Sequence, residues 1–158
     1  MKTLEVNMVK LPAMRVASAY GFGPSPEEVA WAKLAAWAQP KGYLSNREQH
    51  RIFGFNNPNP SPLSPNYGYE FWMEVGPEEM PEGEIRIVDF AGGHYAVTDC
   101  PVPKENFDVI GETWKRLVYW REHSSYQYGA HQWLEKHVET DDPALAFRLQ
   151  LYMPVSGG

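Results

Sequence analysis

Tyr69-Glu70-Phe71-Trp72-Met73-Glu74-Val75 is written a second time, in outline, as Leu149-Gln150-Leu151-Tyr152-Met153-Pro154-Val155. In both copies an apolar residue falls at every second position: Tyr69, Phe71, Met73 and Val75, then Leu149, Leu151, Met153 and Val155. An alternation of period two places those residues on one face of a β-strand and the residues between them on the other. The intervening residues are Glu70 with Trp72, and Gln150 with Tyr152. Each strand therefore carries a polar group two positions from a large amphipathic aromatic, on the same side. An acid, an amide and two rings on two equivalent strands are expected to line one cavity.

The duplication extends outward from these strands. Trp31-Ala32-Lys33-Leu34-Ala35-Ala36-Trp37 lies over Trp114-Lys115-Arg116-Leu117-Val118-Tyr119-Trp120, sharing Trp-x-x-Leu-x-x-Trp at an offset of 83. Leu11-Pro12-Ala13-Met14-Arg15-Val16-Ala17 lies over residues 90–96 at an offset of 79, and the final strands match at 80. Three matches in the same order indicate a doubled strand-helix-strand-strand unit. One copy covers about residues 1–79 and the other about 80–158, within a single domain of 158 residues. Two copies of so long a period do not make a solenoid.

Residues 6–20 read as extended, with a break at Pro12. Ser25-Pro26-Glu27-Glu28 predicts a helix start: Ser25 as cap, Pro26 at the first helical position and Glu28 completing a capping box. That helix carries Trp31, Leu34 and Trp37 and is broken at Pro40-Lys41-Gly42. Residues 51–55 form a short strand, and the proline-rich residues 56–66 form a loop. Strands over 84–90 and 94–98 flank an Ala91-Gly92-Gly93 bend. A helix over 105–121 follows, with Phe107, Ile110, Trp114 and Leu117 at spacings of three and four. Strands over 131–138 and 147–155 close the chain. The expected fold class is α+β: duplicated βαββ units forming a curved antiparallel sheet, two main helices on one face and a ligand cleft between the halves.

Composition narrows the function. A formal charge of −6 argues against nucleic acid as a partner of this chain by itself, because phosphate binding needs clustered Lys and Arg. No apolar run reaches the length of a spanning helix, and Met1-Lys2-Thr3-Leu4-Glu5 lacks a leader-peptide core, so no membrane is expected. One cysteine, Cys100, allows no internal disulfide and fits a cytoplasmic location. Aromatic residues make up 14%, six of them Trp, enough to furnish both a core and a ligand site. His131, Glu135 and His137 share a strand parity, but the two histidines would stand roughly 20 Å apart along it, so no metal is expected. No phosphate-binding glycine loop is present, and no cofactor is expected.

The doubled unit, the Leu-Pro-Ala-Met-Arg-Val-Ala opening, Ala-Gly-Gly-His-Tyr-Ala-Val in the middle and the Leu-Tyr-Met-Pro-Val ending together resemble the GyrI-like, or AraC/MerR-type, effector-binding domain. The resemblance covers essentially the whole chain and rests on the order and spacing of these motifs. It implies a βαββ duplication around a cavity that takes lipophilic, often cationic, small molecules, as a bacterial multidrug sensor does. It also implies a branch that hydrolyses cyclopropane-bearing genotoxins through a cavity glutamate. In the family that glutamate commonly stands two residues before the Tyr of the final strand. Here that position is Gln150, an amide that supplies neither charge nor a general base. The acid appears instead at Glu70, with Glu135 beside Trp133 as a second candidate.

The expected function is therefore a free-standing protein that senses or sequesters lipophilic compounds, cationic ones included, with a separate regulator or protein partner. The expected ligand residues are Glu70, Trp72, Gln150, Tyr152, Trp133, Glu135 and Phe53. No residue is assigned a catalytic role. The alternative is a hydrolase of electrophilic toxins in which Glu70 or Glu135 orients a water.

Overall fold

The computed structural model describes residues 4–157. Residues 1–3, on which the expectation of no leader core partly rests, and residue 158 lie outside it. In chain order the elements are β1 (Asn7–Leu11), β2 (Met14–Gly23), α1 (Pro26–Ala38), β3 (Ile52–Asn56), β4 (Tyr67–Val75), β5 (Arg86–Phe90), β6 (Gly93–Pro103), α2 (Asp108–Glu122), β7 (Tyr126–Tyr128), β8 (Leu134–Val138) and β9 (Leu145–Gly157). Two short 3-10 turns, Gln39–Lys41 and Tyr43–Ser45, follow α1. The fold class is α+β, as the doubled motif predicts.

The chain divides into two compact units whose borders differ from those of the sequence repeats. One unit is Ala13–Ala91; the other joins the segment through Pro12 to the segment from Gly92 onward. The reason is an exchange of arms. β5, which belongs to the second sequence repeat, pairs antiparallel with β2, while β1 pairs antiparallel with β6. Within Ala13–Ala91 the antiparallel strand order is β3-β4-β2-β5. The equivalent order in the other unit is β8-β9-β6-β1, with β7 added to the end of β9. The arm strands β1 and β5 are each followed at once by a long strand but pair elsewhere. At the second junction Gly92 turns with φ +78, and a Cβ there would collide with the Leu11 carbonyl, so only glycine fits.

In the first unit α1 covers one face of the sheet. Ala30, Leu34, Trp37 and Ala38 pack on Ala17, Ala19, Ile52, Tyr69, Phe71, Met73 and Val75, all buried. Small residues at Ala17 and Ala19 let the helix approach β2, and Gly21 continues this, since a Cβ there would meet the backbone of Pro26 and Ala30. Trp31, at the side of the contact, sets its ring edge-on to Phe71 at 5.5 Å. Pro26 takes the first helical turn as predicted, but Ser25 makes no side-chain cap bond. Glu27 instead accepts the Tyr67 hydroxyl at 2.7 and 2.8 Å, so the first turn is tied to β4 rather than capped from within. Gly42, in the left-handed conformation at φ 77, ends the helical segment where Pro-Lys-Gly was expected to break it.

The second unit repeats the plan. Ala96, Cys100, Val102, Leu149, Leu151, Met153 and Val155 form the buried face, with Leu117 of α2 at its centre and Trp114, Val118 and Trp120 packed around it. Several departures from the sequence reading occur here, β9 among them, which runs from Leu145 to Gly157. α2 begins at Asp108, three residues later than expected, and leaves Phe107 54% exposed against Phe147. β6 runs on to Pro103, and the short β7 was not foreseen. β8 starts at Leu134 rather than at His131, because the His131 ring packs over the side-chain-free Gly93 and its Nε2 meets the His94 carbonyl at 2.7 Å.

Candidate functional site

Register decides which side chains meet Glu70. On β4, Glu70 is paired with Tyr20 of β2 and Phe55 of β3; Trp72 is paired with Ser18 and Phe53; and Ser18 is paired on its other side with Arg86 of β5. Directly paired residues project from the same side of a sheet. Phe53, Phe55, Glu70, Trp72, Ser18 and Arg86 therefore share the face opposite α1. This confirms the same-side placement of Glu70 and Trp72 and adds Ser18, Phe55 and Arg86, which the period alone did not bring to them.

Glu70 is only 5% exposed. A carboxylate so placed is costly unless donors replace its water. Ser18 Oγ and Trp72 Nε1 each donate to Oε2 at 2.7 Å, and Arg86 Nη2 reaches the same oxygen at 3.4 Å. All three therefore converge on Oε2, whereas Oε1 accepts no hydrogen bond among the described residues. The indole that donates to Glu70 is itself held by rings, with Phe55 edge-on at 4.9 Å and Phe90 tilted at 5.3 Å. Phe53 is fully buried on the same face, and the Arg51 guanidinium lies 5.9 Å from its ring centre. The arrangement is one carboxylate with a saturated oxygen and an open oxygen, backed by Trp72, Phe55 and Phe90.

The equivalent pair in the other unit is built differently. Gln150 Nε2 donates to Asp99 Oδ1 at 3.2 Å, and Arg148 Nη2 to Asp99 Oδ2 at 3.0 Å. An acid thus stands beside the amide, on the register partner in β6 rather than at position 150. Tyr152, 5% exposed, meets Tyr95 edge-on at 5.4 Å. The Tyr95 hydroxyl donates to the Gln132 carbonyl at 2.5 Å. Burial, and then the neighbouring Tyr152, push the Tyr95 phenol well above its usual range, so it remains a donor.

Glu135 and Trp133 are not on that face. Glu135 is paired with Leu151, which belongs to the core face, so its side chain points to the helix side. There Trp114 Nε1 donates to its Oε2 at 3.1 Å. Trp133, just before β8, lies 5.5 Å from Trp114 and 5.5 Å from Tyr128, and the Arg121 guanidinium covers Tyr128 at 4.0 Å. Glu135, the second candidate acid, therefore does not join Gln150: the register sets Lys136 opposite Gln150. A separate depression of about 480 Å³ lies along α1 between Trp31, Ala35, Gln39, Gly42, Leu44 and Ser45. None of its lining residues is titratable and none belongs to the Glu70 face. Among the described residues no group of three or more His, Cys, Asp or Glu side chains is placed to hold a metal ion, and no helix is long and apolar enough to cross a membrane.

The model of the family described as integron-associated effector binding protein matches residues 7–155, nearly the whole chain. No match is found among curated proteins. Among solved structures, the EcmrR C-terminal domain superposes with a TM-score of 0.73 at 14% identity, covering 99% of this chain and 100% of that domain. This chain spans 59% of the longer EcmrR chain seen in an EcmrR–DNA complex. SAV2435, solved bound to tetraphenylphosphonium, superposes with a TM-score of 0.58 at 11% identity over 98% of this chain and 95% of that one. An integron cassette protein from the mobile metagenome of Vibrio cholerae does so with a TM-score of 0.54 at 10% identity, over 96% of this chain and 95% of that one. At these identities the superpositions establish a shared fold.

Proposed function

We propose that this chain, which belongs to the integron-associated effector binding protein family, takes up lipophilic organic cations at the Glu70 face as a sensing or sequestering protein. The observation that carries this reading is the half-occupied carboxylate: Oε2 is held by Ser18, Trp72 and Arg86, while Oε1 accepts no hydrogen bond among the described residues. A cation at Oε1 gains coulombic attraction, and the Trp72 and Phe90 rings add cation–π contact of roughly 0.5–2 kcal/mol each when desolvated. Phe90, half-buried on the same face, offers apolar surface worth about 25 cal/mol per Å² buried. That SAV2435 was solved with tetraphenylphosphonium supports the choice of this chemical class for a chain of the same fold. Tyr152 with Gln150 is proposed as the ligand-contacting pair of the other unit. A cytoplasmic location and a separate regulator that reads the bound state belong to the same proposal.

Titration of the purified protein with tetraphenylphosphonium, followed by tryptophan fluorescence and calorimetry, tests it. Saturable binding that weakens roughly tenfold in Glu70→Gln, a loss of about 1.4 kcal/mol, is expected. A wild-type protein that does not bind, or a variant that binds as tightly as wild type, overturns the assignment. Mass spectrometry of a cyclopropane-bearing electrophile incubated with the protein separates binding from turnover, and binding without product is the expected result.

A further inference from the structure

Arg86 is the one exposed member of the Glu70 cluster. Its side chain is 63% exposed while that of Glu70 is 6% exposed, and the two meet at 3.4 Å, longer than a usual charge-assisted bond. It stands on β5, which pairs with β2 at the end of its unit's strand order. Among the described residues the contact to Glu70 Oε2 is the only one its guanidinium makes, so most of its five N–H donors point to solvent. Glu70 thus already has a resident cation, loosely held, at the side where solvent reaches it.

This has a consequence for ligand charge, and it rests on the binding reading above. A ligand bearing only a positive charge gains Glu70 but is brought close to the Arg86 guanidinium, and like charges at short range repel. A ligand bearing a carboxylate a few bonds from its cation meets no such penalty. Its cation takes the open Oε1, and its carboxylate takes the exposed fork of Arg86, which suits planar two-point recognition of a carboxylate. We propose that Arg86 is the specificity-determining residue of this site and that it selects aromatic zwitterions, an organic cation carrying a carboxylate, over simple monocations.

Two probes that differ in this feature alone are pentyltriphenylphosphonium and its carboxybutyl counterpart, the same aromatic cation with and without a carboxylate at the end of the alkyl arm. Calorimetric titration at pH 7.5 into wild type, Arg86→Gln, Arg86→Lys and Glu70→Gln reads the effect. Wild type is expected to prefer the zwitterion roughly tenfold; Arg86→Gln is expected to lose that preference, with the monocation bound more tightly than by wild type. Arg86→Lys keeps the charge but not the fork and is expected to fall between them. Circular dichroism melts without ligand, in which Arg86→Gln is expected to keep a cooperative transition somewhat below that of wild type because Glu70 loses a charged partner, check that the variant is folded at the titration temperature. Equal binding of both probes by wild type, or a preference unchanged in Arg86→Gln, overturns the role of Arg86 while leaving the cation site intact, provided Glu70→Gln weakens both. If neither probe binds wild type, the site and the inference fall together.

Discussion

Ser18 Oγ donates to Glu70 Oε2 at 2.7 Å, from a residue 1% exposed to one 5% exposed, across the β2–β4 pair. A hydroxyl in this position replaces part of the water that the carboxylate loses on burial. Ser18→Ala removes the donor without adding volume. It is expected to lower stability by about 1–3 kcal/mol, the usual cost of a lost hydrogen bond to a charged group. Urea unfolding checks the value. The double variant with Glu70→Gln is expected to cost less than the two single changes added together, since the hydroxyl's main acceptor has already lost its charge.

Arg51 and Glu74 form a two-pronged pair at the other end of β4, with Nε to Oε1 at 2.8 Å and Nη2 to Oε2 at 3.0 Å. Burial pushes the Glu74 carboxyl up, but the Arg51 hydrogen bonds and charge, helped by His50, outweigh it, and the net position is below the usual glutamate range. A carboxyl lowered on folding stabilises the protein at pH values above its unfolded pKa. That contribution is lost as pH falls through the folded value. The urea midpoint of wild type is therefore expected to drop on acidification more steeply than that of Glu74→Gln, by an amount on the order of 1 kcal/mol for a partly exposed pair. Equal slopes for the two proteins would show that Arg51 does not hold Glu74 in this way.

Much of this site was legible in the chain, and the reason is periodicity. The alternation in β4 and β9 identifies the helix-covered faces at Phe71, Met73, Leu151 and Met153, all of which are buried, and puts Glu70 and Trp72 on the same opposite side. What alternation cannot supply is the partner of each residue across strands, because that depends on register between segments far apart in sequence. Ser18 and Arg86 come to Glu70 from 52 and 16 residues away. The same gap misplaced Glu135: its parity matched a polar face, yet pairing with Leu151 turns it to the helix. The exchange of β1 and β5 was hidden for a related reason, since each arm has the composition of a strand and nothing local states which neighbour it joins. Asp99 carries no periodic signal of its own, and only its register with Gln150 gives it meaning.

Cys100 is 1% exposed beneath α2, with its thiol 3.9 Å from the Val109 carbonyl. Burial pushes the thiol up; a hydrogen bond with Thr113 pulls it back in part, and the Glu135 and Asp99 charges push it up again. A thiol that is both inaccessible and protonated does not react readily. Labelling by a disulfide reagent at pH 8 is expected to run roughly a hundredfold or more slower in the native protein than in urea, following the opening of the second unit. Rapid native labelling would mean that α2 lifts from the sheet far more often than its buried face implies.

Trp114 Nε1 and Glu135 Oε2, 3.1 Å apart, tie α2 to β8, and the Trp114 ring also packs against Trp133. The indole needs a partner because the ring is partly buried against the core. Glu135 therefore acts on the helix–sheet joint, and its removal should register as stability rather than affinity. Glu135→Gln retains an acceptor but loses the charge, so it is expected to cost on the order of 1 kcal/mol in urea, while tetraphenylphosphonium affinity stays within about twofold of wild type. Trp114→Phe keeps most of the packing, removes the donor, and is expected to cost a similar amount with non-additive coupling to Glu135→Gln. A tenfold loss of affinity in Glu135→Gln at unchanged stability would give Glu135 a direct part in ligand capture, because a joint between helix and strand has no other way to weaken binding while the fold stays whole.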